Sequence, residues 1–236
     1  MKRAALGFVM LLIPFAGSPG MAADMPTGTP PPFYRDLSYV WTGFYIGING
    51  GGAWGTSQQQ VLSSPMTTTG PFDVSGGLVG GTIGFNMQVD YVVLGLEGDL
   101  DWARISGSAP CASPAFTCTT QNDYLGTTRL RLGYAFGPAS QWLAYATAGA
   151  AFGDINQSFS PAVAGNAGVL TNRVGWTAGG GIQYAFLGTG WSVKLEYLYV
   201  DLGTFVCTTA CSAVPKLTAD TTLTENIFRA GVNYRF

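Results

Sequence analysis

A chain of 236 residues with 34 glycines is a poor candidate for a helical protein, because each glycine weakens a helix interior by roughly 1 kcal/mol relative to alanine. Aromatic residues at 13% and charged residues at only 10% are unusual for a soluble exported domain. A formal net charge of -2 gives no electrostatic basis for nucleic-acid binding.

The N-terminus carries Lys2 and Arg3, an apolar run from Ala4 to Phe15, and the small-residue stretch Gly20-Met21-Ala22. This pattern predicts a secretory signal peptide over residues 1–22, cleaved after Ala22 or, alternatively, Ala23; the apolar run is too short to span a bilayer. No cysteine follows the cleavage position, which argues against a lipid-anchored lipoprotein. Removing Lys2 and Arg3 lowers the basic residues from 11 to 9 against 13 acidic ones, for a net charge of -4. Residues 23–40 are polar and proline-rich around Pro30-Pro31-Pro32 and read as an extended periplasmic leader. Residues 41–236 form one domain.

From Trp41 onward the chain alternates with the period of two that places one apolar and one polar face on a strand. Strand one runs from Trp41 to Trp54, with Phe44, Ile46 and Ile48 opposite Tyr45, Gly47 and Asn49. Strand two, Gly76 to Gln88, sets Val79, Ile83 and Phe85 against Thr82 and Asn86. Strand three, Tyr91 to Ile105, sets Leu94, Leu96, Leu100 and Trp102 against Glu97, Asp99 and Asp101. In strand four, Asp123 to Phe136, Leu130, Leu132, Tyr134 and Phe136 oppose Arg129 and Arg131. Strand five, Trp142 to Asp154, is rich in alanine and glycine, and its parity is ambiguous.

Strand six, Arg173 to Phe186, sets Val174, Trp176, Ile182 and Tyr184 against Arg173, Thr177 and Gln183. Strand seven, Trp191 to Leu202, sets Val193, Leu195, Tyr197 and Tyr199 against Lys194 and Glu196, until Asp201 breaks the pattern where the strand leaves the membrane. The closing strand alternates Phe228, Ala230, Val232, Tyr234 and Phe236 with Arg229, Gly231, Asn233 and Arg235. Links alternate between short (Val89-Asp90, Gly137 to Gln141, Leu187 to Gly190) and long (Thr56 to Ser75, Ser106 to Asn122, Ile155 to Asn172, Gly203 to Leu223). Short turns on one rim and long loops on the other predict an all-β fold, an eight-stranded antiparallel up-and-down transmembrane β-barrel with both termini periplasmic.

A soluble β-sandwich is the rival fold. Charge placement counts against it, because oppositely charged residues fall on adjacent strands where they can pair. Glu97, Asp99 and Asp101 neighbour Arg129 and Arg131; Lys194 and Glu196 neighbour Arg229 and Arg235. An eight-stranded barrel has an interior just wide enough for side chains to fill. A lumenal charge network of Glu97, Asp99, Asp101, Arg129, Arg131, Lys194, Glu196 and Arg229 is therefore expected, since an unpaired buried ion costs several kcal/mol. Solvated charges on one sheet face are the alternative. A filled interior implies a poor conductor.

Sites of catalysis find little support. Histidine is absent, which removes the Ser–His–Asp arrangement and the usual zinc and haem ligands. Glu97, Asp99 and Asp101 share one face of one strand beside arginines, which suits ion pairing better than a glycosidase pair. Gly47 to Gly55 lacks the helix and acidic residue of a dinucleotide loop, and its glycines suit bending of the wall and the fit of lumenal neighbours. No enzyme activity, cofactor or metal is expected. Cys111 and Cys118 share one predicted loop and Cys207 and Cys211 another. In an exported chain these four favour local disulfides, with cross-loop bridging or a zinc site as alternatives. The tryptophans (41, 54, 102, 142, 176 and 191) fall near strand ends and suit aromatic girdles better than sugar stacking in the loops.

The opening stretch Trp41-Thr-Gly-Phe-Tyr-Ile-Gly-Ile-Asn-Gly-Gly-Gly-Ala-Trp54 resembles the first strand of the alphaproteobacterial small outer-membrane β-barrel family, the opacity-like or porin-family surface antigens. Gly80 to Gln88, Leu96 to Asp99, Arg129 to Tyr134 and Phe228 to Phe236 match it as well. The resemblance implies a Gram-negative outer-membrane barrel with a structural, surface-exposed role in the envelope. Small nonspecific channels, and adhesin or ligand-binding surface proteins, are the alternative functions. Implied partners are outer-membrane lipid and lipopolysaccharide, the barrel-assembly machinery, which would read Phe236 as an insertion signal, and a host or small-molecule contact through the loops. The four loop cysteines depart from the family pattern. No peptidoglycan-binding domain is expected after the barrel.

Overall fold

The computed structural model describes residues 38–61, 67–110, 117–160, 169–207 and 219–236. Eight antiparallel strands follow one another in chain order and close into a barrel: β1 (Gly43–Val61), β2 (Thr67–Val89), β3 (Val92–Pro110), β4 (Thr117–Phe136), β5 (Trp142–Ser160), β6 (Val169–Ala185), β7 (Trp191–Cys207) and β8 (Ala219–Arg235). β1 closes the wall by pairing with β8, Ile48 opposite Val232 and Trp54 opposite Asn226. The signal peptide and most of the leader lie outside the described residues.

Alternation produces this wall directly. Phe44, Ile46, Ile48 and Trp54 point outward and are exposed, while Tyr45, Asn49 and Ala53 between them are buried inside. At about 3.3 Å per residue and with the tilt of such strands, Phe44 to Trp54 covers an apolar band roughly 25 Å tall. Aromatic side chains bound the band. Near the short turns Phe44 packs on Phe85, Trp142 on Tyr184 and Trp191 on Tyr234, with ring centroids 4.7, 4.6 and 5.0 Å apart. At the other edge Trp54, Trp102, Tyr124 and Trp176 are exposed, and Trp176 packs on Tyr199 at 5.4 Å. The rim with short turns is the periplasmic one in barrels of this type.

The strands run further outward than their apolar pattern. Much of each long link (Thr56 to Ser75, Ser106 to Asn122, Ile155 to Asn172, Gly203 to Leu223) is strand, as in the pairing of Thr56 with Asp73 and of Ser108 with Thr119. Beyond the outer belt the outward face no longer needs to be apolar, and inward only scattered residues such as Val74 and Leu223 remain in the core, so the alternating signal fades while the hydrogen-bonded ladder continues. Bulges mark this boundary. Register shifts between Trp102 and Ile105 on β3, opposite Tyr124 and Asn122, and between Asp201 and Thr204 on β7. The second contains Gly203 at φ 72, a left-handed backbone suited to glycine, and its N–H donates to Asp201 Oδ1 at 2.8 Å.

Candidate functional site in the barrel lumen

The inward side chains stack in three layers. Nearest the periplasmic rim, Tyr39, Trp41, Val93, Ala135, Leu143, Tyr145 and Ala185 form an apolar cluster. On the outer side Leu78, Ile105, Leu125, Leu198, Val200, Leu223 and Ile227 belong to a larger one. The strands place the charged residues between the two clusters: β7 reads Lys194 and Glu196 and then Leu198 and Val200, while β3 reads Glu97, Asp99 and Asp101 and then Ala103 and Ile105.

Glu97 is the hub of the middle layer. Its carboxylate accepts hydrogen bonds from Arg129 Nη2 at 2.6 Å, Arg131 Nη1 at 3.1 Å, Lys194 Nζ at 3.1 Å and the Tyr45 hydroxyl at 2.7 Å. Asp99 pairs with Arg129 at 2.7 Å and Arg229 at 2.8 Å, and Asp101 pairs with Arg229 at 2.8 Å. Glu196 pairs with Arg129 at 3.0 Å and Arg229 at 2.7 Å. Four carboxylates thus meet four cations, and the layer is formally neutral. Glu97, Asp101 and Arg129 have 0% exposure, and Asp99, the most open of the eight, has 7%.

The structure brings all eight sequence-identified charged residues together, and by contacts wider than neighbouring strands. Adjacent-strand pairs are present, as in Glu97–Arg129 and Glu196–Arg229. Others cross the lumen: Lys194 on β7 and Arg229 on β8 reach Glu97 and Asp99 on β3, and Arg129 on β4 reaches Glu196 on β7. Strand alternation assigns a face but does not say which residues meet across a closed interior. Arg235 stands apart from this network; its Nε donates to the Tyr39 hydroxyl at 3.1 Å, and its guanidinium lies 4.8 Å from that ring centroid.

Several neutral residues complete the layer without having been singled out from sequence. Arg131 lies over the Tyr145 ring at 3.8 Å and donates to Gln183 Oε1 at 2.9 Å and to the Tyr45 hydroxyl at 2.9 Å. Tyr145 donates to Glu196 at 3.0 Å, and Thr127 donates to Asp99 at 2.7 Å. Thr127 shares the inward parity of Arg129 and Arg131 on β4 and Gln183 that of Arg173 on β6, while Tyr45 alternates with the apolar Phe44 and Ile46 on β1, and that parity was the signal for them. Glu225 is buried higher up and accepts from Asn122 Nδ2 at 3.1 Å. Inward glycines provide the room: a Cβ on Gly84 would collide with the Tyr45 ring and hydroxyl, and one on Gly181 with the Tyr145 ring.

Trp41 departs from the girdle expected of the tryptophans. It is 1% exposed, inside the periplasmic mouth, where its indole Nε1 donates to Ser140 O at 2.8 Å and its backbone N–H to Gln88 Oε1 at 2.7 Å. Tyr39 packs against it at 4.8 Å and donates its backbone N–H to Ala139 O at 2.7 Å. The segment before β1 therefore turns into the mouth and ties to the turns on either side of it. Phe236 lies on the outer face, 71% exposed, at 5.4 Å from the Tyr234 ring. Cys118 and Cys207 belong by backbone to the outer ends of β4 and β7, not to loops. The side chains of Cys111, Cys118, Cys207 and Cys211, and so any disulfide, lie outside the described residues.

Comparison with known proteins accords with this geometry. The pattern of the Outer membrane protein beta-barrel domain matches residues 11–236. The 31 kDa outer-membrane immunogenic protein of Brucella melitensis is 33% identical over 232 residues, which cover 92% of this chain and 93% of the relative. The 25 kDa outer-membrane immunogenic protein of the same organism is 29% identical over 233 residues, covering 95% and 94%. The crystal structure of the outer membrane protein OprG from Pseudomonas aeruginosa shares the fold with a TM-score of 0.51 at 15% identity, covering 85% of this chain and 99% of that one.

Proposed function

Because the chain belongs to the outer membrane β-barrel protein family, we propose that this protein of the Gram-negative outer membrane is a closed structural barrel that carries surface segments and conducts no solute. The observation that carries this reading is the buried, formally neutral ion-pair layer between two apolar clusters. A water-filled path would leave inward side chains of the middle layer accessible, whereas none of its eight charged residues exceeds 7% exposure. Breaking such a network to open a path would strand buried charges at a cost of about 3–5 kcal/mol for each partner removed.

Catalysis has no place in this reading. The chain has no histidine, and the four carboxylates of the middle layer have cations as partners. The strands extend beyond the outer aromatic belt, as in the pairing of Ser108 with Thr119, which suits a surface antigen. Relatives named as immunogenic outer-membrane proteins support the same role. Liposome swelling tests the proposal: vesicles loaded with refolded protein should swell in a small sugar no faster than protein-free vesicles. Swelling at the rate of a general porin would overturn it and favour the small-channel alternative.

A further inference from the structure

Glycines on the two faces of the wall differ in what they are needed for. Inside, Gly84 and Gly181 are required by the tyrosines that fill their space, and a Cβ on Gly80 would strike the Asp101 carboxylate. Outside, Gly52 and Gly77 pair with each other, and a Cβ on either would meet only one carbonyl oxygen, at 3.9 and 3.7 Å, an ordinary contact. No packing demand keeps those two positions bare. Their effect is a strip of uncovered backbone on the outer surface, and Gly77 pairs in turn with Arg104 on β3.

Arg104 lies two residues beyond Trp102, just outside the aromatic belt, and lines a groove with Gly77, Trp102, Asp123 and Tyr124. Its guanidinium has no ion pair or hydrogen bond among the described residues. Asp123, on the same groove, takes its hydrogen bond from Gln121 Nε2 at 2.6 Å and does not pair with Arg104. Trp102 is 63% exposed and Tyr124 46%. An outward cation without a protein counter-ion therefore sits at the depth where lipid headgroups begin, beside an open indole face and above a backbone-floored slot.

We propose that this groove binds a phosphorylated glycolipid of the outer leaflet. The phosphate would sit on Arg104, whose planar fork of donors matches phosphate oxygens in pairs. Trp102 offers a flat apolar face to a sugar ring, which a glycerol headgroup would leave uncovered. Asp123 accepts from a sugar hydroxyl and disfavours a second phosphate on that side. An acyl chain lies over Gly77 and Gly52, where a larger residue would exclude it. The proposal rests on outer-membrane location and is independent of whether the lumen conducts.

Native mass spectrometry of the refolded full chain in detergent provides the test, with lipid A, dephosphorylated lipid A and phosphatidylglycerol as probes. Lipid A should be retained, and phosphate removal should weaken retention tenfold or more. Arg104→Gln and Gly77→Leu should each do the same while keeping the heat-modifiable folded form; the Arg104 side chain has no hydrogen bond or ion pair among the described residues, so its replacement should leave folding intact. Wild-type retention by the Arg104→Gln protein would overturn the proposal. So would equal retention of phosphatidylglycerol, which would mark the groove as a general lipid contact.

Discussion

The two faces of the same eight strands are specified in different ways. The outer face is defined by a bulk property: Leu130, Leu132, Val193 and Val232 need only be apolar, because lipid chains around them are as apolar as leucine and fill any gap. The inner face is defined by particular partners, with Glu97 serving three cations and a tyrosine at once. The outer face should therefore tolerate substitution, and the inner face should not. Adjacent residues of one strand, such as Arg129 and Leu130, become a controlled pair of experiments.

The largest effect is expected at an outer-face position where more than apolarity is at stake. Phe236 completes the row Phe228, Val232 and Tyr234, and we propose, as the family resemblance implies, that the assembly machinery recognises it. Phe236→Asp should leave exported protein unassembled in the periplasm, whereas Phe228→Ala should assemble. Outer-membrane fractionation with heat-modifiable gel migration reads both. Equal amounts of folded barrel from wild type and Phe236→Asp would reduce this ring to packing on Tyr234.

Next in size is Glu97→Leu, which leaves Arg129, Arg131 and Lys194 short of a counter-charge in a site with no solvent access. The expected loss is about 3–5 kcal/mol, read as a lower urea midpoint of unfolding in detergent. A loss under ~1 kcal/mol would show that the layer is hydrated and its charges independent. Gly84→Ala follows, at about 1–3 kcal/mol, since the new methyl must displace a Tyr45 ring held through its hydroxyl by Glu97 and Arg131. Gly77→Ala, on the outer face, should be nearly neutral in the same titration, and matching losses at both glycines would erase the distinction between the faces. Smallest is Leu130→Ala, 69% exposed to the lipid side, with an expected cost below ~1 kcal/mol.

The same contrast explains what could be read from the chain. Outer-face parity over Phe44, Ile46 and Ile48, or over Val193, Leu195 and Tyr197, is a local pattern and reveals strands, band and barrel. The inward parity of Glu97, Arg129, Lys194 and Arg229 is equally local, so the members of the network were legible. Their pairing was legible only for adjacent strands, because contacts such as Lys194 to Glu97 join residues far apart in the chain across a closed lumen. Strand ends were underestimated because nothing in Ser106 to Ser108 or Thr119 to Gln121 alternates in hydropathy, although the ladder continues there. Trp41 misled for a related reason. It stands at a strand end, as girdle residues do, but the turn that carries it into the mouth depends on Ser140 and Gln88, distant partners that a local pattern does not register.

Single-channel recording in planar bilayers tests the filled lumen most directly. Refolded wild-type protein, inserted and verified by heat-modifiable migration, should give no resolved conductance steps at moderate voltage in concentrated salt. Long-lived, uniform open-channel steps from the wild-type barrel would contradict the account, because they require a continuous aqueous path through a layer whose charged side chains are closed to water.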